Sequence, residues 1–61
     1  MNTDGIKTWL AGIELDTSLL RMHIEIALRN KKMSEIDARF INWHLDRIDE
    51  KTNYIKELAE Q

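Results

Sequence analysis

The chain has 61 residues and a net charge of −2, and it contains no cysteine and no proline. This composition excludes a disulfide-bonded domain and a zinc site built on cysteine, and the length excludes a second domain. A core of this size supplies only a few kcal/mol, so we expect self-association to provide further stability.

Apolar residues in the N-terminal half recur at alternating spacings of four and three, which is typical of an amphipathic helix. They predict a first helix over about residues 4–29. Gly5 and Gly12 are the only glycines, so the chain lacks the turn residues that short strands need. The apolar series is Ile6, Leu10, Ile13, Thr17, Leu20, Ile24 and Ala27.

The segment RNKKMSEID contains neither glycine nor proline, yet its residues favour a turn at about 30–33. Ser34 is a suitable N-cap for a second helix, with Asp37 three residues later in the capping-box position. Asn30 is the expected left-handed residue at the end of the first helix, because asparagine tolerates that conformation better than most residues.

A second apolar series predicts a second helix over about residues 34–60. Its members face those of the first series when paired residue numbers sum to 65, as expected for antiparallel helices. We therefore predict one all-α domain over residues 1–61, an antiparallel two-helix hairpin. The second series is Ala38, Ile41, Leu45, Ile48, Thr52, Ile55 and Ala59.

Further apolar residues lie nearly opposite these two series, at 100° per residue. Exposed apolar surface of this kind marks an interface. The simplest prediction is a homodimer whose two hairpins form a four-helix bundle, and the alternative is a docking surface for another protein, with Arg39 at its rim. These predicted interface residues are Leu15, Leu19, Met22, Ile26, Ile36, Phe40 and Trp43.

The turn end of the hairpin is predicted to be mildly basic. Residues 21–44 contain five basic and three acidic residues, whereas the remainder contains four basic and eight acidic residues. The predicted shape resembles the Rop-type plasmid RNA-binding regulators, which implies an alternative function in RNA binding. Opposite charges four residues apart are predicted to pair along each helix and favour a solvated face instead. They are Arg21, Glu25 and Arg29 on the first helix and Glu35 and Arg39 on the second. The basic residues concerned are Arg29, Lys31, Lys32 and Arg39.

Catalytic and metal-binding patterns are absent from the sequence. His23 and His44 are isolated, and no HExxH pattern or cysteine accompanies them, so we predict no catalytic residue, no metal and no cofactor. The N-terminus lacks a basic segment followed by an apolar block, and apolar runs are short. We therefore expect no signal peptide and no membrane span, and a cytoplasmic protein.

A partial likeness over residues 20–48 suggests an enzymatic alternative. The segment NWHLDRI retains Leu45 and Asp46, and a Leu-Arg pair ending at Arg21 lies upstream. This pattern resembles the small Spo0E-like aspartyl-phosphate phosphatases, helical hairpins whose second helix carries a Ser-Gln-Glu-Leu-Asp motif. The resemblance implies dephosphorylation of a response-regulator receiver domain that depends on Asp46. The residues that differ from the motif are Asn42, Trp43 and His44.

These patterns together predict a small non-enzymatic regulatory or adaptor protein of the bacterial or phage type. It is expected to homodimerise and to bind another protein through apolar helix faces.

Overall fold

The computed structural model describes residues 3–61 as two α-helices joined by a short turn. Helix α1 spans Thr3–Arg29 and helix α2 spans Glu35–Glu60, and the two pack against each other as a hairpin. The prediction of an all-α chain with two packed helices is confirmed. The Cα atoms extend over 45 × 15 × 11 Å with a radius of gyration of 14.2 Å, whereas a globular domain of this length has about 10.5 Å. The hairpin is therefore a rod.

Helix α2 begins at the predicted cap. Ser34 has extended backbone angles, and its hydroxyl accepts a hydrogen bond from the backbone N–H of Asp37 at 3.1 Å. This bond satisfies one of the N–H groups that a helix N-terminus leaves unpaired. The reciprocal bond of a full capping box is absent from the described residues, since aspartate is shorter than the usual glutamate or glutamine.

Helix α1 ends on a left-handed residue, but that residue is Lys31, with φ of 57°, and not Asn30. The backbone N–H of Lys32 donates to the carbonyl of Ala27 at 2.8 Å, the bond that closes a Schellman motif. The prediction for Asn30 is wrong because its own N–H still donates to Ile26 at 3.0 Å. The helical bonding runs one residue further than asparagine preference alone suggests.

Three residues on each helix, spaced seven apart, are buried between the two helices. Two helical turns return a side chain nearly to the same face, so residues seven apart share one line of contact. Ile24 packs with Ala38 and Leu45, and Leu28 and Met33 pack against this cluster near the turn. We call the buried residues the seam, and they are Leu10, Thr17, Ile24, Ala38, Leu45 and Thr52.

Both threonines of the seam are hydrogen-bonded. Thr17 Oγ1 lies 3.0 Å from the carbonyl oxygen of Glu14 and 3.0 Å from Asp49 Oδ1 on the other helix. Thr52 donates to the carbonyl oxygen of Ile48 at 2.7 Å. The predicted register places Thr17 opposite Ile48, and the observed bond to Asp49 lies one residue from that position.

The sequence predicts two complete apolar stripes at the helix contact, but only alternate members of each stripe are buried. Ala59 follows Thr52 by seven residues and lies on the contact line, but it is only partly buried. The others lie three positions after or four before a seam residue, which turns them about 40–60° from the contact line. These rotated residues share one side of the hairpin, which we call the apolar flank. It comprises Leu20, Ile41, Ile48 and Ile55, each 38–48% exposed, with the less exposed Ile6, Ile13 and Ala27.

The left-handed residue can be tested by substitution. Lys31→Gly is expected to raise the free energy of unfolding by about 1 kcal/mol, because glycine adopts positive φ without a Cβ clash. Lys32→Gly is the matched control, since Lys32 does not have positive φ, and it is expected to give no gain. Urea denaturation followed by circular dichroism at one fixed protein concentration measures both. Equal stability of the two variants would contradict the assignment.

Candidate functional site

The hairpin exposes more surface than a compact monomer of its mass. Its accessible area is 5180 Å², whereas the scaling for a 7.2 kDa monomer gives about 4100 Å². Among residues 3–61, the large apolar side chains that are buried are Leu10, Ile24 and Leu45. Many large apolar side chains are therefore left for contacts outside the hairpin.

All seven predicted interface residues are exposed, by 43–66%. They do not form one continuous surface, because each set lies on the side of its helix that points away from the seam. The α1 outer face comprises Leu15, Leu19, Met22 and Ile26, and the α2 outer face comprises Ile36, Phe40 and Trp43. Met22 and Trp43 thus share a level along the rod but lie on opposite edges of it.

The α2 outer face contains a shallow groove lined by Ile36, Arg39, Phe40 and Trp43. Spacings of three and four residues place these side chains side by side on one helix. The guanidinium carbon of Arg47 lies 4.9 Å from the ring centroid of Trp43, a cation–π distance. The groove therefore combines exposed aromatic surface with two positive charges.

Charged side chains link the two helices on the side of the hairpin opposite the apolar flank. We call this side the polar flank, and its central residues are Arg21, Asp46 and Asp49. Arg21 Nη2 lies 2.8 Å from Asp46 Oδ1 and 2.7 Å from Asp49 Oδ2. The hydrogen bond to Asp46, and to a smaller extent that to Asp49, raises the pKa of Arg21 above its ordinary value. Asp49 also accepts from Thr17, so one carboxylate connects the seam to the ion pairs. This network links helix α1 to helix α2 at mid-rod.

The predicted pairing of charges four residues apart along each helix is wrong for Arg21. This residue instead bonds across the hairpin, because two carboxylates on α2 converge on it. The residues of the predicted basic patch form no ion pair within residues 3–61 and are exposed. Three of them surround the turn, whereas Arg39 belongs to the α2 groove. The patch is made up of Arg29, Lys31, Lys32 and Arg39.

The two histidines are exposed. The imidazole of His44 packs edge-on against Trp43, with ring centroids 5.0 Å apart. Nowhere in residues 3–61 do three or more histidine, aspartate or glutamate side chains gather in a way that could hold a metal ion. Over the same residues, neither helix has the length and apolar composition required to cross a membrane.

Comparisons with known proteins give no match: no protein-family model fits the chain, and neither curated proteins nor solved structures are significantly similar to it. The resemblances to Rop-type regulators and to Spo0E-like phosphatases therefore rest on the residues and shape alone.

Two features of these surfaces were not found from the sequence. One is the separation of the apolar flank from the seam, and the other is the network around Arg21. A signal for the network exists in the numbering, because Arg21 and Asp46 sum to 67 and Thr17 and Asp49 sum to 66, close to the predicted 65. Opposite charges whose numbers sum to within two of 65 include this pair.

Loss of the central ion pairs is expected to destabilise the hairpin. Arg21→Gln leaves Asp46 and Asp49 adjacent on α2 without their shared cation, so the thermal midpoint is expected to fall. Arg29→Gln removes one exposed positive charge that has no ion pair and is the matched control. Circular dichroism melting at low and high salt measures both. The deficit of Arg21→Gln should shrink in high salt, and a midpoint equal to that of Arg29→Gln contradicts a stabilising network.

Proposed function

We propose that the protein is a small non-enzymatic regulatory or adaptor protein that self-associates and binds another protein through the α2 outer face. The observation that carries this proposal is the exposed groove of Ile36, Phe40 and Trp43, bordered by Arg39. Its residue types support the proposal, since aromatic residues and arginine are enriched in protein interfaces and at their energetic centres.

The chemistry of the groove selects the kind of partner. Arg39 has no ion pair within residues 3–61, and Arg47 lies over the Trp43 ring. Carboxylates on a partner would pair with both arginines while apolar side chains cover the aromatic rings. A segment that offers both is an amphipathic helix whose apolar face is bordered by aspartate or glutamate, and we propose that the partner protein presents such a helix.

The α1 outer face is a weaker candidate for the same role. Leu15, Leu19, Met22 and Ile26 supply apolar area, but none of the four is aromatic. The unpaired Arg29 lies at one end of this face, three residues after Ile26. The four residues remain predicted interface residues, on a second surface that faces the other way.

The partner chemistry can be tested with two synthetic helical peptides. Both carry the same apolar face, bordered by glutamate in one and by lysine in the other. Trp43 reports binding by fluorescence once Trp9→Phe has removed the other tryptophan. The glutamate peptide is expected to shift Trp43 emission to the blue and to bind about tenfold more tightly than the lysine peptide. Equal affinity of the two peptides contradicts the inferred partner.

Variants of the full chain test the site itself. Phe40→Glu places a charge in the groove and is expected to abolish peptide binding, whereas Glu57→Lys near the other end of α2 is expected to change it little. Affinity capture with each variant tests protein partners in the same way. Unchanged peptide binding together with unchanged captured partners for Phe40→Glu would remove the assignment.

RNA binding at the turn is the alternative supported by the unpaired basic residues there. It requires binding that weakens steeply with salt and with loss of Lys31 and Lys32. Binding of RNA with that salt dependence, together with no response to either peptide, would favour this alternative over protein binding.

The phosphatase alternative draws support from one contact. Arg21 bonds Asp46 at 2.8 Å, so the two segments that carry the Spo0E-like resemblance meet. If the protein is such an enzyme, Asp46→Ala stops dephosphorylation of a phosphorylated receiver domain without altering the fold. Absence of turnover by the wild-type protein ends this alternative.

A further inference from the structure

We propose that a second copy of the chain covers the apolar flank, with the turns of both hairpins at the same end of the dimer. This inference rests on the self-association in the proposed function and assigns it a surface that the α2 outer face does not share. It is independent of the partner protein.

Continuity with the seam supports the apolar flank as the surface for a second copy. In a four-helix bundle, residues at both apolar positions of the heptad face the interior. Here the seam supplies one position, and the flank residues Leu20, Ile41, Ile48 and Ile55 supply the other while remaining 38–48% exposed. A second hairpin placed on this flank completes the interior without moving either helix.

The size of the flank suits a dimer. The two longer extents of the hairpin, 45 and 15 Å, bound an area of about 700 Å² on each partner, near the roughly 800 Å² per partner of a standard interface. None of the flank residues is charged. An uncharged patch can meet its own copy across a two-fold axis without placing like charges in the centre.

Charges at the rim select the orientation of the second copy. The rim positions lie four residues before or three residues after flank positions. Asp16 and Lys51 are two of them, and they occupy the same level on the two helices, with numbers that sum to 67. With both turns at one end, α1 packs on α2 of the partner subunit, and Asp16 faces Lys51 of the partner subunit on both edges. With the turns at opposite ends, α1 packs on its own copy. Asp16, near the middle of the flank, then faces Asp16 of the partner subunit.

The net charges of the turn end and of the open end favour the opposite orientation of the second copy, but more weakly. Residues 21–44 carry +2 and the remainder −4, so turns at opposite ends bring opposite charges together. Most of these charges lie on the outer and polar sides, where solvent screens them beyond about 8 Å at physiological salt. The pair of Asp16 and Lys51 acts at contact distance, so it decides the orientation.

A distance measurement between the two turns tests the proposal directly. The chain has no cysteine, so Lys32→Cys provides a single site for a nitroxide label at an exposed turn position. Double electron–electron resonance on the labelled full chain is expected to give an intermolecular distance of about 15–25 Å, because neighbouring helices in a bundle lie about 10 Å apart. Turns at opposite ends give a distance near the 45 Å length of the rod. That distance, or no dipolar signal at high protein concentration, overturns the proposal.

A charge exchange tests the rim without touching the apolar residues. Asp16→Lys is expected to raise the dissociation constant of the dimer about threefold to tenfold, because two symmetric contacts become repulsive. Adding Lys51→Asp is expected to restore it. Sedimentation equilibrium measures the constants. No effect of Asp16→Lys, or no restoration by the double exchange, overturns the same-end orientation.

Three variants separate this proposal from the proposed function. Ile48→Lys on the flank is expected to produce monomers, and Leu15→Lys on the α1 outer face is the matched control that leaves the dimer intact. Phe40→Glu is expected to abolish binding of the glutamate peptide without changing the distance between labels. Loss of dimers by Leu15→Lys or by Phe40→Glu, with dimers retained by Ile48→Lys, places the second copy on an outer face and overturns the proposal.

Discussion

Two helices can touch along only one line, and this constraint governs the rest of the hairpin. A side chain returns to that line once every seven residues, so each helix buries few residues however many apolar positions its sequence provides. Leu10, Ile24 and Leu45 are the large side chains that reach it. All other large apolar residues of residues 3–61 remain at least partly exposed. The surfaces of this molecule are therefore a consequence of its architecture as much as of its composition.

Local signals in the sequence were sufficient for the elements of the fold. The alternation of spacings by four and three reports the helical period directly, and Ser34 caps α2 through a bond to a residue three positions away. The pairing of residues by a constant sum also requires only that two helices be antiparallel. Each of these inferences depends on neighbours in the chain or on one symmetry, which is why a single sequence reveals them.

The remaining features depend on relations through space that the sequence does not rank. Nothing local distinguishes Lys31 from Asn30 as the left-handed residue, because the outcome depends on how far the helical bonds continue. Arg21 has carboxylates within reach on its own helix and across the hairpin, and the structure pairs it across. The periodicity also predicts which face of each helix is apolar. It does not state which of two neighbouring apolar positions on that face lies on the contact line. That distinction separates the seam from the apolar flank.

The division into flank and outer faces determines how the proposed partner binding and the proposed self-association would influence each other. The flank side chains are already about half buried, so covering each is worth on the order of 1 kcal/mol, and the total for a dimer is similar to the about 4–15 kcal/mol that association costs. Such a dimer dissociates at low concentration, and its stability depends on concentration by mass action. The α2 groove lies on a different side of the hairpin, so its residues would stay exposed in both the monomer and the proposed dimer. A partner bound there would gain no contact from the second copy, but the proposed dimer would present two grooves, so a partner with two matching helices would bind it with higher avidity than a monomer.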